Sequence, residues 1–409
     1  MKTKILHITP HLGGGVGKVI MNWLAKDDKY EHNVACLDSV NKTAWGWSVK
    51  NKIELRDNMY RAHLSLLCMI NEADIVLIHY WNHPLLYDFL VRQIIPPSRM
   101  IMWSHGSGIH LPSIFTHKIL NYPDFFVLTT AISYQAEAII KNFKHKDNFR
   151  TIWSTGGFDH IKDVQPKEHD GFNVGYIGTV DYCKMHPQFV NMCSKIDIPD
   201  VKFIVVGGDH EHQLRAAVED AGIADKFIFT GYVDDIKPYL EIMDVFGYPL
   251  APHHYGTCDQ SLTEAMAAGV VPVVLNNPME KSIVTHNYNG LIANSLDEYV
   301  YAIELLYTNK ELRNKLAKQA KSDALSRFSL DTMINDWNMV FEEIIKHPRK
   351  QRMWIQPSDI FLESINMTKR EFEQLDLSEP NWQTSTKGTH HHYKQFFPFD
   401  KNLDYWSKS

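Results

Sequence analysis

Apolar residues follow two periods along this chain. Short β-like runs, Ile5–Thr9, Asn33–Leu37, Asp74–Tyr80, Arg99–Trp103 and Phe125–Ala131, read as strands. Stretches with apolar positions three and four apart separate several of them, so a largely parallel sheet built from βα units is expected over residues 1–155. Residues 156–171, within STGGFDHIKDVQPKEHDG, are polar and aperiodic and read as a linker. A second βα series occupies residues 172–328, with FNVGYIG, KFIVVGG, KFIFTGYV, DVFGYPL and VVPVVL as its strands. Helical periodicity returns over Leu296–Tyr307, Lys310–Arg327 and Leu330–Ile345. The last of these, rich in Trp337, Met339, Val340 and Phe341, is expected to pack across both domains as a helix over residues 329–347. From Pro348 the pattern weakens into a polar, aromatic extension, residues 348–409, with one short apolar run at Phe361, Leu362, Ile365 and Met367. Consecutive side chains do not face one another, so His390, His391 and His392 are expected to be solvated rather than to bind a metal.

The stretch HHYGTCDQSLTEAMAAGVVPVV, His253–Val274, reads as a polar loop, a short helix ending at Gly269 and a buried strand. Thr257 and Gln260 fit a capping box, preferred over Ser261 and Glu264, that would start the helix at Cys258. Leu262, Ala265, Met266 and Gly269 form its apolar stripe, and Glu264 lies off it. An open helix N-terminus attracts anions through unpaired amides and the helix dipole. Glu264 would sit roughly 9 Å along the axis from that end, about the reach from a diphosphate to the ribose of one nucleotide.

After the first strand, LGGGVGK makes a strand–glycine turn–helix opening. A P-loop is excluded, because Leu12 stands where its first glycine belongs and Val19 where Ser or Thr should follow the lysine. The dinucleotide fingerprint fails as well, its last glycine falling on Lys18. What remains is a turn that lets backbone approach a ligand. Two strands run into polar clusters at their carboxyl ends, where open α/β sheets bind ligands. His79 and His83 are read as ordinary satisfied polar residues, whereas His105, among Ser104, Gly106, Ser107 and Gly108, is a candidate ligand contact.

Composition narrows the classes. A net charge of −6 argues against a protein held on nucleic acid by bulk charge, and 44% hydrophobic with 22% charged residues is ordinary for a globular chain. Five dispersed cysteines without a C-x-x-C pair suit reduced thiols. The N-terminus lacks the apolar core of a signal peptide, and no window approaches a spanning helix. A cytoplasmic protein is expected, with room for peripheral contact at the inner face of a membrane.

In order and spacing, GYIGTVDYCKMHP, FIVVGG, FIFTGYVDDIKPYLEIMDVFGYPL, YGTCDQSLTEAMAAGVVPVVL and IVTHNYNGLIA resemble the nucleotide-binding half of retaining glycosyltransferases of family 4. The GGGVG turn and the SHG segment are similar to elements of that family's other half. The resemblance implies an α/β GT-B fold: two Rossmann-like domains facing across a cleft, here with a C-terminal helical extension. It implies a nucleotide-diphosphate sugar as donor, retained anomeric configuration, no cofactor and no metal, and a glycan, lipid-linked or small-molecule acceptor. It assigns Glu264 to the ribose, and the loop Thr257, Cys258, Asp259, Gln260, Ser261 and Leu262 to phosphates and sugar. Lys184 falls to the diphosphate leaving group, His105 to the donor sugar, and Gly14 and Gly15 to the approach of diphosphate and acceptor.

Three positions depart from the family pattern. Gly256 replaces the first of two glutamates, so Asp259 is the candidate to take over its contact with the sugar. Thr179 stands in place of an arginine, and Met185, His186 and Pro187 replace the glycine after the lysine. The expected catalytic set is therefore His105, Lys184 and Asp259. The competing expectations are a sugar-nucleotide epimerase or hydrolase of the same fold and a non-catalytic nucleotide-sugar-binding subunit.

Overall fold

Strands covered on both faces are buried along their length and read as near-continuous apolar runs, and those at the centre of each sheet are buried in this way, with polar members such as His7 and His79. The computed structural model describes residues 2–112, 114–141, 147–208, 211–385 and 387–406. It divides into one unit formed by Met1–Gly156 with Leu330–Ser409 and a second formed by Gly157–Ser329.

The first unit contains β1 (Lys4–Thr9), β2 (Glu31–Cys36), β3 (Glu54–Arg56), β4 (Ile75–Tyr80), β5 (Ile95–Ser98), β6 (Met100–Ser104), β7 (Phe125–Leu128) and β8 (Phe149–Thr151). Seven of them form a parallel sheet in the order β3-β2-β1-β4-β6-β7-β8. The order reverses between β1 and β4, which opens a crevice at their carboxyl ends. One apolar layer holds Leu66, Ile70, Leu86, Phe89 and Phe115. The other is centred on Trp23, Trp103 and Trp337. Trp337 belongs to the helix Leu330–Ile344, whose Leu330, Met333, Trp337, Val340, Phe341 and Ile344 lie on one buried stripe. Its ring stacks on Trp23 at 5.1 Å and meets Trp103 edge-on at 5.0 Å. Residues far along the chain thus complete the core of the N-terminal sheet.

The second unit contains β9 (Phe172–Ile177), β10 (Val201–Val206), β11 (Phe227–Gly231), β12 (Val245–Tyr248), β13 (Val271–Leu275) and β14 (Leu291–Ala293), in the parallel order β11-β10-β9-β12-β13-β14. Here the order reverses beside β9 and β12. The segment expected as a linker is packed into this unit: Ile161 and Val164 are buried, and the Lys167 amide donates to the Glu241 carbonyl at 2.7 Å. Its few apolar residues are anchors too widely spaced to show a period.

The C-terminal extension is structured as well. A strand β15 (Lys350–Arg352) pairs antiparallel with β5. Arg352 reaches the buried Asp124 carboxylate at 2.6 Å and the carbonyls of Ser98 and Tyr122. Short helices then gather Phe361, Phe372, Trp382, Tyr393 and Trp406 into a small core of their own. The expected solvated histidine run is corrected by this packing. Thr389 caps the helix His390–Phe396, His390 and His392 are each 4% exposed, and His391 is the exposed one. Among the described residues no helix is long and apolar enough to cross a membrane.

Candidate active site

In the second unit the candidate residues sit on the loops that follow β9 and β12. The helix after β12 runs Gln260–Ala268, two residues later than a Thr257 cap would place it. Thr257 and Cys258 are buried in the loop, and the N-cap position belongs to Asp259, whose side chain makes no capping bond. Its backbone is left-handed, with φ 31° and ψ 68°, a conformation that costs a non-glycine residue about 1–2 kcal/mol. The carboxylate released from capping faces a cation instead. Oδ1 lies 3.5 Å from Lys184 Nζ and 3.5 Å from the Tyr248 hydroxyl, and buried Oδ2 has no hydrogen-bond partner among the described residues. Strain of this kind persists where the surroundings over-determine it, as they do at functional sites.

Lys184 is pinned through its backbone. Asp181 accepts the amides of Cys183, Lys184 and Met185, and the Lys184 carbonyl accepts the Ala251 amide at 2.8 Å. The ammonium lies 5.6 Å over the Tyr248 ring. Its contact to Asp259 is longer than a hydrogen bond, which leaves N–H donors available to an anion. Thr179 lies at the start of the same loop, where its carbonyl accepts the Tyr176 hydroxyl at 2.8 Å.

Gly256 has a steric reason to be glycine. A Cβ there would stand 2.8 Å from His254 Nδ1 and 2.9 Å from Asp259 Oδ1. His254 Nδ1 accepts the Gly256 amide at 3.1 Å, while Nε2 lies 3.0 and 3.3 Å from the two Glu280 oxygens. Burial alone would lower the His254 pKa, but the Glu280 carboxylate outweighs it and the value is raised. His254, Asp259 and Glu280 lie close enough together to suggest a metal site. The imidazole, however, has an amide on Nδ1 and its proton on Nε2, so it offers an ion no lone pair. The trio is a brace for the loop.

Glu264 is not a spare exposed carboxylate: it is 6% exposed, with Oε1 3.1 Å from His160 Nε2. His160 comes from the polar stretch before β9 and carried no signal in the sequence. Leu262 is also reassigned. Its amide donates to the Asp259 carbonyl at 2.9 Å and its side chain is fully buried, so it serves the helix and the core rather than a phosphate. Gln260 and Ser261 stay partly exposed at the helix opening.

In the first unit the helix Gly14–Lys26 begins at the carboxyl end of β1. Gly14 is exposed at φ +62° with open space around it, and a Cβ on Gly17 would strike the Leu12 carbonyl at 2.2 Å. Gly15 is exposed beside it. The first turn therefore presents bare backbone.

His105 follows β6 and ends a row of imidazoles crossing β2, β1 and β4. His32 Nδ1 lies 2.9 Å from His7 Nε2, His7 Nδ1 3.0 Å from His79 Nε2, and His79 Nδ1 3.0 Å from His105 Nε2. Adjacent parallel strands are spaced about 4.8 Å apart, and the rings follow at 5.1–5.3 Å. At the far end Asp27 Oδ2 lies 3.3 Å from His32 Nε2, close enough for attraction although the N–H is not aligned for a full hydrogen bond. Burial works against ionising Asp27, but the nearby His32 and hydrogen bonds from the Lys29 amide and Trp23 hold its pKa below the ordinary value. Burial, reinforced by neighbouring imidazoles, pushes His7 and His79 far down, and burial takes His105 to about 3. His7, His79 and His105 are therefore neutral, with one proton each.

The acceptor-only Asp27 carboxylate beside His32 Nε2 favours one direction of protons along the row. In that direction His7, His79 and His105 carry their protons on Nε2, and His105 presents Nδ1 as a lone pair. Asp27→Asn, whose amide can donate to His32, is expected to mix the tautomers along the row. Long-range 1H–15N spectra check this directly, and an unchanged Nδ1 resonance of His105 would refute the control by Asp27.

Residues 157–323 match the family model described as Glycosyl transferases group 1. The Bacillus subtilis (strain 168) protein YtcC is 22% identical over 349 residues, 73% of this chain and 82% of that protein. Among solved structures, a glycosyltransferase from Rickettsia africae ESF-5 aligns with a TM-score of 0.69 at 15% identity, covering 85% of this chain and 99% of its own. Anabaena Alr3699/HepE in complex with UDP-glucose aligns with a TM-score of 0.66 at 17% identity, covering 83% and 99%.

Proposed function

We propose that this chain, whose residues 157–323 are a glycosyl transferases group 1 domain, transfers a sugar from a nucleoside-diphosphate sugar to an acceptor hydroxyl, with retention of configuration and without a required metal ion. The observation that carries this reading is the Lys184–Asp259 pair at a strained helix opening, one turn before Glu264. As the bond from the anomeric carbon to the phosphate oxygen breaks, negative charge grows on the diphosphate. A lysine and a helix N-terminus oppose that charge without any proton transfer. Glu264, oriented by His160, accepts the ribose hydroxyls, and Asp259 accepts a hydroxyl of the donor sugar. The acceptor oxygen attacks on the face the phosphate leaves, and its proton passes to the departing phosphate oxygen. In the first unit His105 offers Nδ1 to a sugar hydroxyl.

Support for a uridine donor comes from the UDP-glucose held by the Anabaena relative, so UDP-glucose is the first probe of a nucleotide-sugar panel. Glu264→Gln is expected to raise the donor KM about tenfold, because a charge-assisted hydrogen bond becomes a neutral one. Steady-state kinetics with a mass-spectrometric product readout test it. Unchanged donor kinetics would remove Glu264 from the site. Nucleoside diphosphate released equally well without acceptor would replace transfer by hydrolysis or epimerisation.

A further inference from the structure

We propose that the first unit carries an oxyanion-binding subsite built from His11, His83, His392 and Lys387, which receives a phosphate or carboxylate borne by a substrate. In each of the three imidazoles Nδ1 is occupied by a backbone amide. His11 accepts from Gly13 at 3.1 Å, His83 from Leu85 at 3.3 Å and His392 from Gly388 at 3.0 Å. A neutral ring anchored in this way carries its proton on Nε2, pointing away from its own backbone. Burial, together with the neighbouring basic groups, keeps the rings neutral, at about 2 for His83 and about 3 for His392, and lowers His11 as well.

None of these Nε2–H groups has an acceptor among the described residues. His83 and His392 are only 3% and 4% exposed, yet their Nε2 atoms are not among the buried orphaned atoms. Among the described residues, therefore, nothing seals the donor edge of these two rings. The rings form one cluster, with His83 6.0 Å from His11 and 4.9 Å from His392. The Lys387 charge acts on both His11 and His392, and Asp38 opposes it weakly at His11.

A site for neutral sugar hydroxyls would offer acceptors as well as donors. The nearby Asn82 is already engaged: its oxygen accepts from Tyr393 and its nitrogen donates to Ser364. A cluster that presents N–H donors beside an ammonium suits an oxyanion. Trp81 lies 5.3 Å from His11 and 6.2 Å from both His83 and His105, which sets the subsite beside the end of the imidazole row. It also lies at the crevice between β1 and β4, with two of its members drawn from the C-terminal extension.

Which substrate delivers the oxyanion rests on the transferase reading, whereas binding itself does not. The full chain, labelled with 15N at histidine, is titrated with inorganic phosphate against chloride at matched ionic strength. Nε2 resonances of His11, His83 and His392 are expected to move on one saturating curve. His392→Asn keeps an oxygen for the Gly388 amide and lacks Nε2, and it should weaken phosphate binding about tenfold, as should Lys387→Ala. Equal shifts with chloride, no saturation, or wild-type affinity in both variants would overturn the proposal. Calorimetry with UDP-glucose on Lys387→Ala then separates the sources. Weakened binding assigns the oxyanion to the donor diphosphate, and unchanged binding assigns it to a phosphate or carboxylate on the acceptor. Phosphate binding in a chain that binds no nucleotide sugar would keep the subsite and sink the transferase reading alone.

Discussion

Lys184→Ala is expected to lower kcat by about two to three orders of magnitude, the usual cost of removing one preorganised donor from a developing oxyanion. The geometry makes the effect larger on turnover than on donor affinity. Lys184 is held by its backbone through Asp181 and Ala251, and its ammonium is drawn to Asp259 and the Tyr248 ring, which places the charge before the reaction begins. Its removal also leaves the Asp259 carboxylate, 5% exposed and with one oxygen already unpartnered, without a counter-charge beside an arriving diphosphate. Single-turnover rates, read beside the donor dissociation constant, separate the two contributions. A turnover within a few-fold of wild type would remove Lys184 from the machinery. The melting temperature should fall as well, because the buried Asp259 carboxylate loses its counter-charge, so the rates are compared at a temperature where the variant is folded.

Trp337→Ala is expected to destabilise the first unit by about 3–5 kcal/mol, the range for emptying a buried aromatic site. Trp337 is fully buried between Trp23, Trp103 and Phe341, and rigid neighbours on a sheet cannot close around the space it would leave. Its indole N–H has no hydrogen-bond partner among the described residues. Trp337→Phe, which removes the orphaned donor and keeps an aromatic ring, should therefore cost far less. Urea unfolding followed by probes in each unit checks this: the first-unit transition falls to lower denaturant and the second-unit transition stays. A shared shift of both, or a Phe variant as damaged as Ala, would refute the account.

The central strands could be read from the sequence because each carries a short run of apolar residues. β3, β8 and β15 could not, since three residues with charged members at a sheet edge are held by the neighbouring strand and not by their own pattern. The helix bearing Glu264 was readable, and its start was not. Thr257 and Gln260 satisfy a local rule, but the tertiary pairing of Lys184 with Asp259 holds residue 259 left-handed and delays the first turn. Glu264 looked spare because its partner His160 lies in a segment with no period. The imidazole row is invisible in sequence for a different reason. His7, His32, His79 and His105 become neighbours only once β2, β1, β4 and β6 are placed side by side. The C-terminal extension hid its core in the same way, with aromatic anchors spread over five short helices.

The first unit is interrupted by the whole of the second, and this inverts the order of manufacture. A ribosome delivers residues 1–156 first, but the layer containing Trp23 and Trp103 stays open until the helix with Trp337 emerges after residue 329. The second unit, made later, has every strand of its sheet within one continuous segment and can finish earlier. During synthesis the nascent N-terminal sheet therefore waits with an uncovered apolar face, and a chain released before that helix is made would carry a finished second unit beside an unfinished first.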